Sequence, residues 1–369
     1  MDRQLALLQR HYAALSPSSP ALLPSPPFPA PSTLSLPATQ QFLVDRLLGH
    51  DQTLGDERGA HDWKRLFWRR VTKGIEQGFS ERSAQGDVEV DDEEVHPDIL
   101  EAMVDLLSSG SSAGAPGTST RVYCWGDLAA EPDQWQSIRT REEGRLISGG
   151  TTGLRTWQAC IALSNHLIAS PAPVFRARRI LELGAGVGLL TLVAARLAQQ
   201  GQNGDDVRRR FVATDVDEKV LETLQGNVRT NNLENLAKCV KLDWELASDS
   251  VANAVELQQW RDEAFEGGGE PDLILGADIV YDPSLTAHLA STLAWLLQPR
   301  QGRETAPEAL IAGTIRNEST WELFLHECRA RQLQVNAVDL QVPGDQSGLV
   351  GAEGWEGEGE VRLVRIVAQ

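Results

Sequence analysis

Between residues 141 and 369, short apolar runs alternate with stretches whose apolar residues recur at helical spacing. Such alternation predicts strands and helices in turn, an α/β domain with helices on both faces of a sheet. Ile180–Leu183 predicts a first strand, Arg210–Thr214 a second and Lys238–Leu242 a third. Leu273–Leu275 predicts the fourth and Ala309–Ile315 the fifth. Helices are predicted over Ala159–Ala169, Ser284–Leu297 and Ser319–Arg331. A further one spans Glu218–Thr230, where Val220, Leu221, Leu224 and Val228 share a face. The end of the chain differs: Leu333–Leu340 and Val361–Val367 read as two strands joined without a helix, a terminal hairpin. Their connection, Val342–Glu360, is rich in glycine and acid and is expected to be a mobile loop.

Residues 1–140 have another character. Residues 1–15 predict a short amphipathic helix, and Leu5-Ala6-Leu7-Leu8 is too short for a signal-peptide core. Residues 16–37 hold eight of the 18 prolines, which predicts polyproline or irregular chain. Gln41–Leu48 and Trp63–Lys73 predict helices. In the second, Trp63, Phe67 and Trp68 would pack a small core while Lys64, Arg65, Arg69, Arg70 and Lys73 project elsewhere. Asp87–Glu94 is acidic and Ser108–Ser119 is built of small residues, both poor material for a core. Val122–Trp125 predicts an edge strand. The chain therefore divides into an N-terminal region, 1–140, and an α/β domain, 141–369. At 369 residues and 41% hydrophobic it can bury one full core plus a smaller unit.

Charge narrows the partners. A net charge of −18 argues against nucleic-acid phosphate as the main partner, despite the basic residues near Arg69. It suits a basic or patch-charged protein, although acidity also promotes solubility. The four cysteines, at 124, 160, 239 and 328, lack C-x-x-C spacing and read as reduced thiols of a cytoplasmic protein. No apolar run approaches the roughly 20 residues of a membrane span. Neither His nor Cys spacing suggests a metal site.

Candidate chemistry sits at the strand ends. Glu182-Leu183-Gly184-Ala185-Gly186-Val187-Gly188 is a strand running into a glycine turn and a helix, where backbone N–H groups can approach a ligand. Dinucleotide enzymes use G-x-G-x-x-G at this place, but Leu189 stands where the third glycine would fall. The turn suits a ligand without pyrophosphate, and S-adenosylmethionine is such a ligand. Asp215 ends the second strand, where a carboxylate grips a ribose diol. It could instead cap the following helix, a role for which Asp217 competes. Trp244 follows the third strand and Trp157 precedes the first; each reads as an adenine-stacking wall or as a core residue. Ala277-Asp278-Ile279-Val280-Tyr281 closes the fourth strand on an acid and an aromatic. Asp278 could cap the next helix, though Asp282-Pro283-Ser284 is the better start signal.

These motifs resemble the seven-stranded methyltransferases that modify lysines of non-histone proteins. The likeness rests on Gly149-Gly150-Thr151-Thr152-Gly153-Leu154 with Trp157, on the Leu181–Gly188 turn and on Leu242-Asp243-Trp244. It rests further on the D-x-x-Y of Asp278 and Tyr281 and on Gly313-Thr314-Ile315-Arg316-Asn317-Glu318-Ser319-Thr320. The last segment is most similar to the branch that methylates elongation factor 2. The resemblance spans roughly residues 145–340. It implies a Rossmann-like mixed sheet of order 3-2-1-4-5-7-6 with the last strand antiparallel. It implies S-adenosylmethionine contacts at Trp157, Glu182, Gly184, Ala185, Gly186, Asp215, Trp244 and Ala277. The catalytic edge it implies is Asp278 and Tyr281, with a protein substrate, elongation factor 2, and a monomeric enzyme. The N-terminal extension would help select that substrate or simply stabilise the fold.

The implied chemistry is an in-line displacement on a sulfonium by a neutral amine. Lysine has a reference pKa of about 10.4, so its ammonium must lose a proton and its water before reacting. Asp278 is expected to orient the incoming ammonium, and Tyr281 to wall a slot whose desolvation lowers the amine pKa. Two alternatives stay open: the same fold acting on another protein or small molecule, and a cofactor-binding module without chemistry.

Overall fold

The computed structural model describes residues 2–17, 19–25, 27–49, 60–86, 93–108, 117–143, 152–201, 209–265, 269–298, 306–351 and 359–369. Several expectations lie outside them: most of the acidic stretch Asp87–Glu94, most of Ser108–Ser119, the Gly149-Gly150-Thr151 part of the first motif, and residues 352–358 of the Val342–Glu360 connection. The chain forms two units. One comprises Met1–Ser137, Arg141–Leu146 and Asp345–Trp355; the other Ile138–Thr140, Ile147–Gly344 and Glu356–Gln369.

In the first unit, helix Arg3–Ala13 opens on Asp2, whose carboxylate accepts from the Gln4 and Leu5 N–H groups. Helix His61–Ala84 is longer than the aromatic spacing predicted. Trp63, Phe67 and Trp68 are buried in it as expected, with Tyr12 as their hub. The Tyr12 ring meets Phe67 edge-on at 4.8 Å, and its Oη accepts from Trp68 Nε1 at 3.0 Å. The proline-rich segment departs from expectation. It forms a 3₁₀ turn, Pro20–Leu22, and a short helix, Pro31–Leu34, because Leu23, Phe28 and Leu34 are buried in the aromatic core. Arg70 also departs: its guanidinium lies 3.7 Å from the Phe28 ring centroid and donates to the Pro20 and Leu23 carbonyls. The predicted helix at Gln41–Leu48 is split into helix Pro37–Leu43 and a π turn, Val44–Leu48. Helix Pro97–Ser108 and the second strand of the two-stranded sheet β1 (Thr118–Trp125) and β2 (Gln136–Glu143) were not legible in the pattern.

The second unit is built on seven strands: β3 (Arg179–Leu183), β4 (Arg210–Asp215), β5 (Ala237–Lys241), β6 (Leu273–Ala277), β7 (Glu308–Thr314), β8 (Leu333–Val338) and β9 (Val361–Ala368). Their order is β5-β4-β3-β6-β7-β9-β8. Counted from β3 this is 3-2-1-4-5-7-6, the order expected. All pairs are parallel except those of β9, which runs against both β7 and β8. β3 is buried along four of its five residues, the pattern of a central strand covered on both faces. The chain turns back at β3: β4 and β5 lie to one side, β6 and β7 to the other. Ligands in such sheets bind at this switch point, beyond the carboxyl ends of the strands. Among the described residues, no helix is long and apolar enough to cross a membrane.

Candidate functional site

The glycine turn after β3 is shaped by its backbone. Gly184, Gly186 and Gly188 have φ of +60°, +55° and +93°, a region that L side chains avoid. At Gly184 a Cβ would lie 2.7 Å from Ile279 Cγ2 and 3.5 Å from Trp244 Cζ2. At Gly186 it would lie 3.0 Å from the Gly153 carbonyl oxygen, so the segment before Trp157 passes directly over the turn. The turn is then tied down from β4: Ala185 N–H donates to Thr214 O at 2.7 Å, and Gly186 N–H to Asp215 Oδ2 at 3.2 Å.

A cavity of about 330 Å³ opens over this turn, at the low end for small-molecule sites. All ten residues expected at the site line it. Trp157 comes from the segment before helix Gln158–Ala169; Glu182, Gly184, Ala185 and Gly186 come from β3 and its turn. Asp215 comes from the end of β4 and Trp244 follows β5. Ala277 ends β6, and Asp278 and Tyr281 follow it.

The competing readings of the acids are decided by their partners. Asp217 caps helix Glu218–Thr230, accepting from Lys219 and Val220 N–H groups, which leaves Asp215 facing the cavity. Burial raises the affinity of Asp215 for a proton, hydrogen bonds from backbone N–H groups oppose this, and the Asp217 charge adds to it. Glu182 is fully buried and accepts from the Thr191 N–H at 2.9 Å and from the Thr191 hydroxyl. Desolvation pushes its carboxyl up to about 8, the Thr191 hydrogen bonds pull it down and Asp215 pushes it further up. Glu182 therefore braces the start of helix Leu189–Gln200 beneath the turn.

Asp278 departs from expectation in its surroundings. It sits at φ +55°, and its side chain is only 4% exposed. Oδ1 accepts from Thr314 N–H at 2.9 Å and from Arg316 Nη1 at 3.4 Å. Oδ2 accepts from Ala159 N–H at 2.8 Å and from Thr314 Oγ1 at 3.1 Å. Four donors fill the four lone-pair directions of a carboxylate. Asp278 does cap a helix, but it is Gln158–Ala169 rather than the one that follows it. The following helix, Thr286–Leu296, begins later than predicted, and Asp282 instead holds a turn through the Ser284 N–H and hydroxyl.

The aromatic residues frame the opening. Trp157 Nε1 donates to Thr152 O at 3.0 Å, and the guanidiniums of Arg316 and Arg155 lie 5.0 and 5.5 Å from its ring centroid. Trp244 is partly buried against the sheet core. Tyr281 is 55% exposed. Burial of its hydroxyl, then the charges of Asp215 and Asp282, push the phenol above its usual range, against a hydrogen bond with the Thr152 side chain.

Thr152, Arg155, Cys160, Val216, Asp243 and Glu245 also line the cavity; Thr152 and Asp243 stood in the quoted motifs, but none of the six was given a site role from the sequence. Cys160 stands three residues past Trp157, on the same helical face, a spacing that would have found it. Besides Glu182, which its raised affinity for a proton keeps mostly neutral, the lining holds four acids, Asp215, Asp243, Glu245 and Asp278, against one guanidinium, Arg155. That balance suits a cationic ligand such as a sulfonium and opposes a pyrophosphate.

A glycine-turn cavity of this kind, at the switch point of a seven-stranded sheet with a reversed last strand, defines a class I methyltransferase. The family model described as lysine methyltransferase matches residues 139–326. The chain is similar to the protein-lysine N-methyltransferase EFM3 of Chaetomium thermophilum, 30% identical over 280 residues that cover 74% of each chain. It is also similar to the protein-lysine N-methyltransferase EEF2KMT of Homo sapiens, 32% identical over 246 residues covering 64% of this chain and 65% of that one. The chain belongs to the lysine methyltransferase family, and its methyl donor is S-adenosylmethionine.

Proposed function

We propose that this lysine methyltransferase modifies a lysine of translation elongation factor 2 in the cytoplasm, acting as a monomer. The observation that carries the reading is the joint between the Gly313–Thr320 segment and the D-x-x-Y edge: Thr314 and Arg316 both donate to Asp278. The segment most particular to the elongation-factor branch is thus built into the edge of the cofactor cavity.

In this reading Asp215 takes the ribose hydroxyls, and the Gly184–Gly186 turn, lacking side chains at both ends, lets the cofactor approach the backbone closely. Trp157 and Trp244 wall the cofactor, and Ala277 leaves room beside it. S-adenosylmethionine supplies the electrophilic methyl group. The protein's part is to bring a neutral amine in line with it and keep water out. Asp278, its lone pairs engaged, acts through the local field and by fixing the walls. Tyr281 shapes the amine channel. Its phenol, held above the usual range, stays protonated at neutral pH, so the lysine proton leaves to solvent.

Mass spectrometry of purified, unmodified elongation factor 2 after incubation with enzyme and S-adenosylmethionine tests the reading. A gain of 14 Da steps, about one methylene each, on a single lysine-containing peptide is the expected result. No gain on elongation factor 2, with methylation of another protein, rejects the substrate and keeps the chemistry.

A further inference from the structure

Arg316 does not line the cavity, yet it touches two residues that do. Its Nη1 reaches Asp278 Oδ1 at 3.4 Å, and its guanidinium carbon stands 5.0 Å from the Trp157 ring centroid. Asp278 follows β6, Trp157 precedes helix Gln158–Ala169, and Arg316 follows β7. One cation therefore joins three elements at the mouth of the site. The side chain is 36% exposed, against 4% for the Asp278 side chain it covers.

The other donors to Asp278 come from the Ala159 backbone and from the backbone and hydroxyl of Thr314, which carry no charge. Arg316 supplies the only full positive charge among the described partners of that carboxylate. Its planar fork can meet a carboxylate edge-on while its face lies against an indole, a combination that a lysine ammonium cannot reproduce.

We propose that Arg316 is a positioning residue for methyl transfer: it acts through Asp278 and Trp157 together, setting the cofactor's aromatic wall and the acid edge relative to one another. The proposal rests on the cofactor reading of the cavity and deepens it. Two arms follow from the two contacts. The Trp157 arm governs cofactor affinity, because an indole held by a guanidinium loses fewer rotamers when a ligand stacks on it. The Asp278 arm governs turnover, because the field at the amine channel depends on whether that carboxylate is paired.

The test uses the full chain with Arg316→Met and Arg316→Lys. Cofactor affinity is read by titration with S-adenosylhomocysteine, which needs no protein substrate. Turnover is read with elongation factor 2, and melting temperature is followed as the folding control. Arg316→Met is expected to weaken cofactor binding about threefold to tenfold and to lower kcat about tenfold or more. Arg316→Lys should recover most of kcat, since it restores the charge beside Asp278, while cofactor binding stays weakened because the nearer of the two guanidinium planes at Trp157 is lost and only that of Arg155 remains. That split is what a merely structural role would not give. Wild-type affinity and turnover in folded Arg316→Met would overturn the proposal. So would a Lys variant that recovers both arms or neither in proportion to its melting temperature. If the wild-type enzyme leaves elongation factor 2 unmodified, the substrate reading fails, while the cofactor titration still decides the Trp157 arm.

Discussion

The Ala159 backbone N–H donates to Asp278 Oδ2 at 2.8 Å, so a residue 119 positions later in the chain caps the helix that carries Cys160 past Trp157. Asp278 thus carries structure as well as charge. In Asp278→Asn the amide nitrogen would face either the Ala159 or the Thr314 N–H, donor against donor. Leaving one buried N–H without an acceptor costs about 1–3 kcal/mol. The variant should melt measurably lower and also lose turnover. Thermal unfolding paired with kinetics checks both, and full turnover with unchanged cofactor binding would remove Asp278 from the mechanism.

The glycine turn separates strain from contact. Ala at position 186 would sit at φ +55°, which costs an L residue about 1–2 kcal/mol, with its Cβ 3.0 Å from the Gly153 carbonyl oxygen. Relief requires the turn or the strap above it to shift, and both lie against the cavity. Gly186→Ala is expected to weaken cofactor binding by at least about tenfold, equivalent to about 1.4 kcal/mol. Isothermal titration with S-adenosylmethionine reads this directly.

Helix His61–Ala84 offers a test of the first unit. Replacing a helix-interior glycine by alanine ordinarily stabilises by about 0.5–1 kcal/mol. At Gly78 the new Cβ would lie 2.0 Å from the Pro31 carbonyl oxygen and 2.6 Å from its carbon, backbone atoms that cannot rotate away. Gly78→Ala should therefore destabilise, by about 1–3 kcal/mol, the usual range for overpacking. Urea unfolding followed by tryptophan fluorescence gives the sign.

Glu182 gives the pH dependence. Its carboxyl is raised to about 8 in the folded chain, from 4.5. Between these values the folded state holds a proton that the unfolded state has released, so stability falls as pH rises from about 4.5 to about 8 and is level in this respect above. Asp215, also raised by burial, adds to the same trend. Glu182→Gln keeps a carbonyl acceptor for Thr191 and removes the proton equilibrium. Its melting temperature should decline less steeply over that window than the wild type's, and parallel curves would contradict the assignment.

The sheet and the residues that line the cavity were legible because the motifs fall at strand ends, although several of those residues carried two readings. Glycines at 184, 186 and 188 announced positive φ, the apolar runs gave the strands and the terminal hairpin, and the family resemblance implied their order. The role of Asp278 was not legible. Its partners Ala159 and Thr314 are remote in sequence, and two are backbone groups that any residue would supply. The first unit was read least well for a similar reason. Proline content at 16–37 described the local chain, whereas Leu23, Phe28 and Leu34 packing around Tyr12 and Phe67 decided its structure. Arg70 looked like a surface charge because a helical wheel does not show the ring of Phe28 above it.

The central claim, methyl transfer from S-adenosylmethionine to a lysine of elongation factor 2, is tested most directly by labelling. Enzyme and methyl-labelled S-adenosylmethionine are incubated with a lysate from cells lacking this enzyme, and the labelled proteins are identified. One labelled band at elongation factor 2, absent with Asp278→Ala, is the predicted result. Label on another protein, or none with a protein that binds the cofactor, would contradict it.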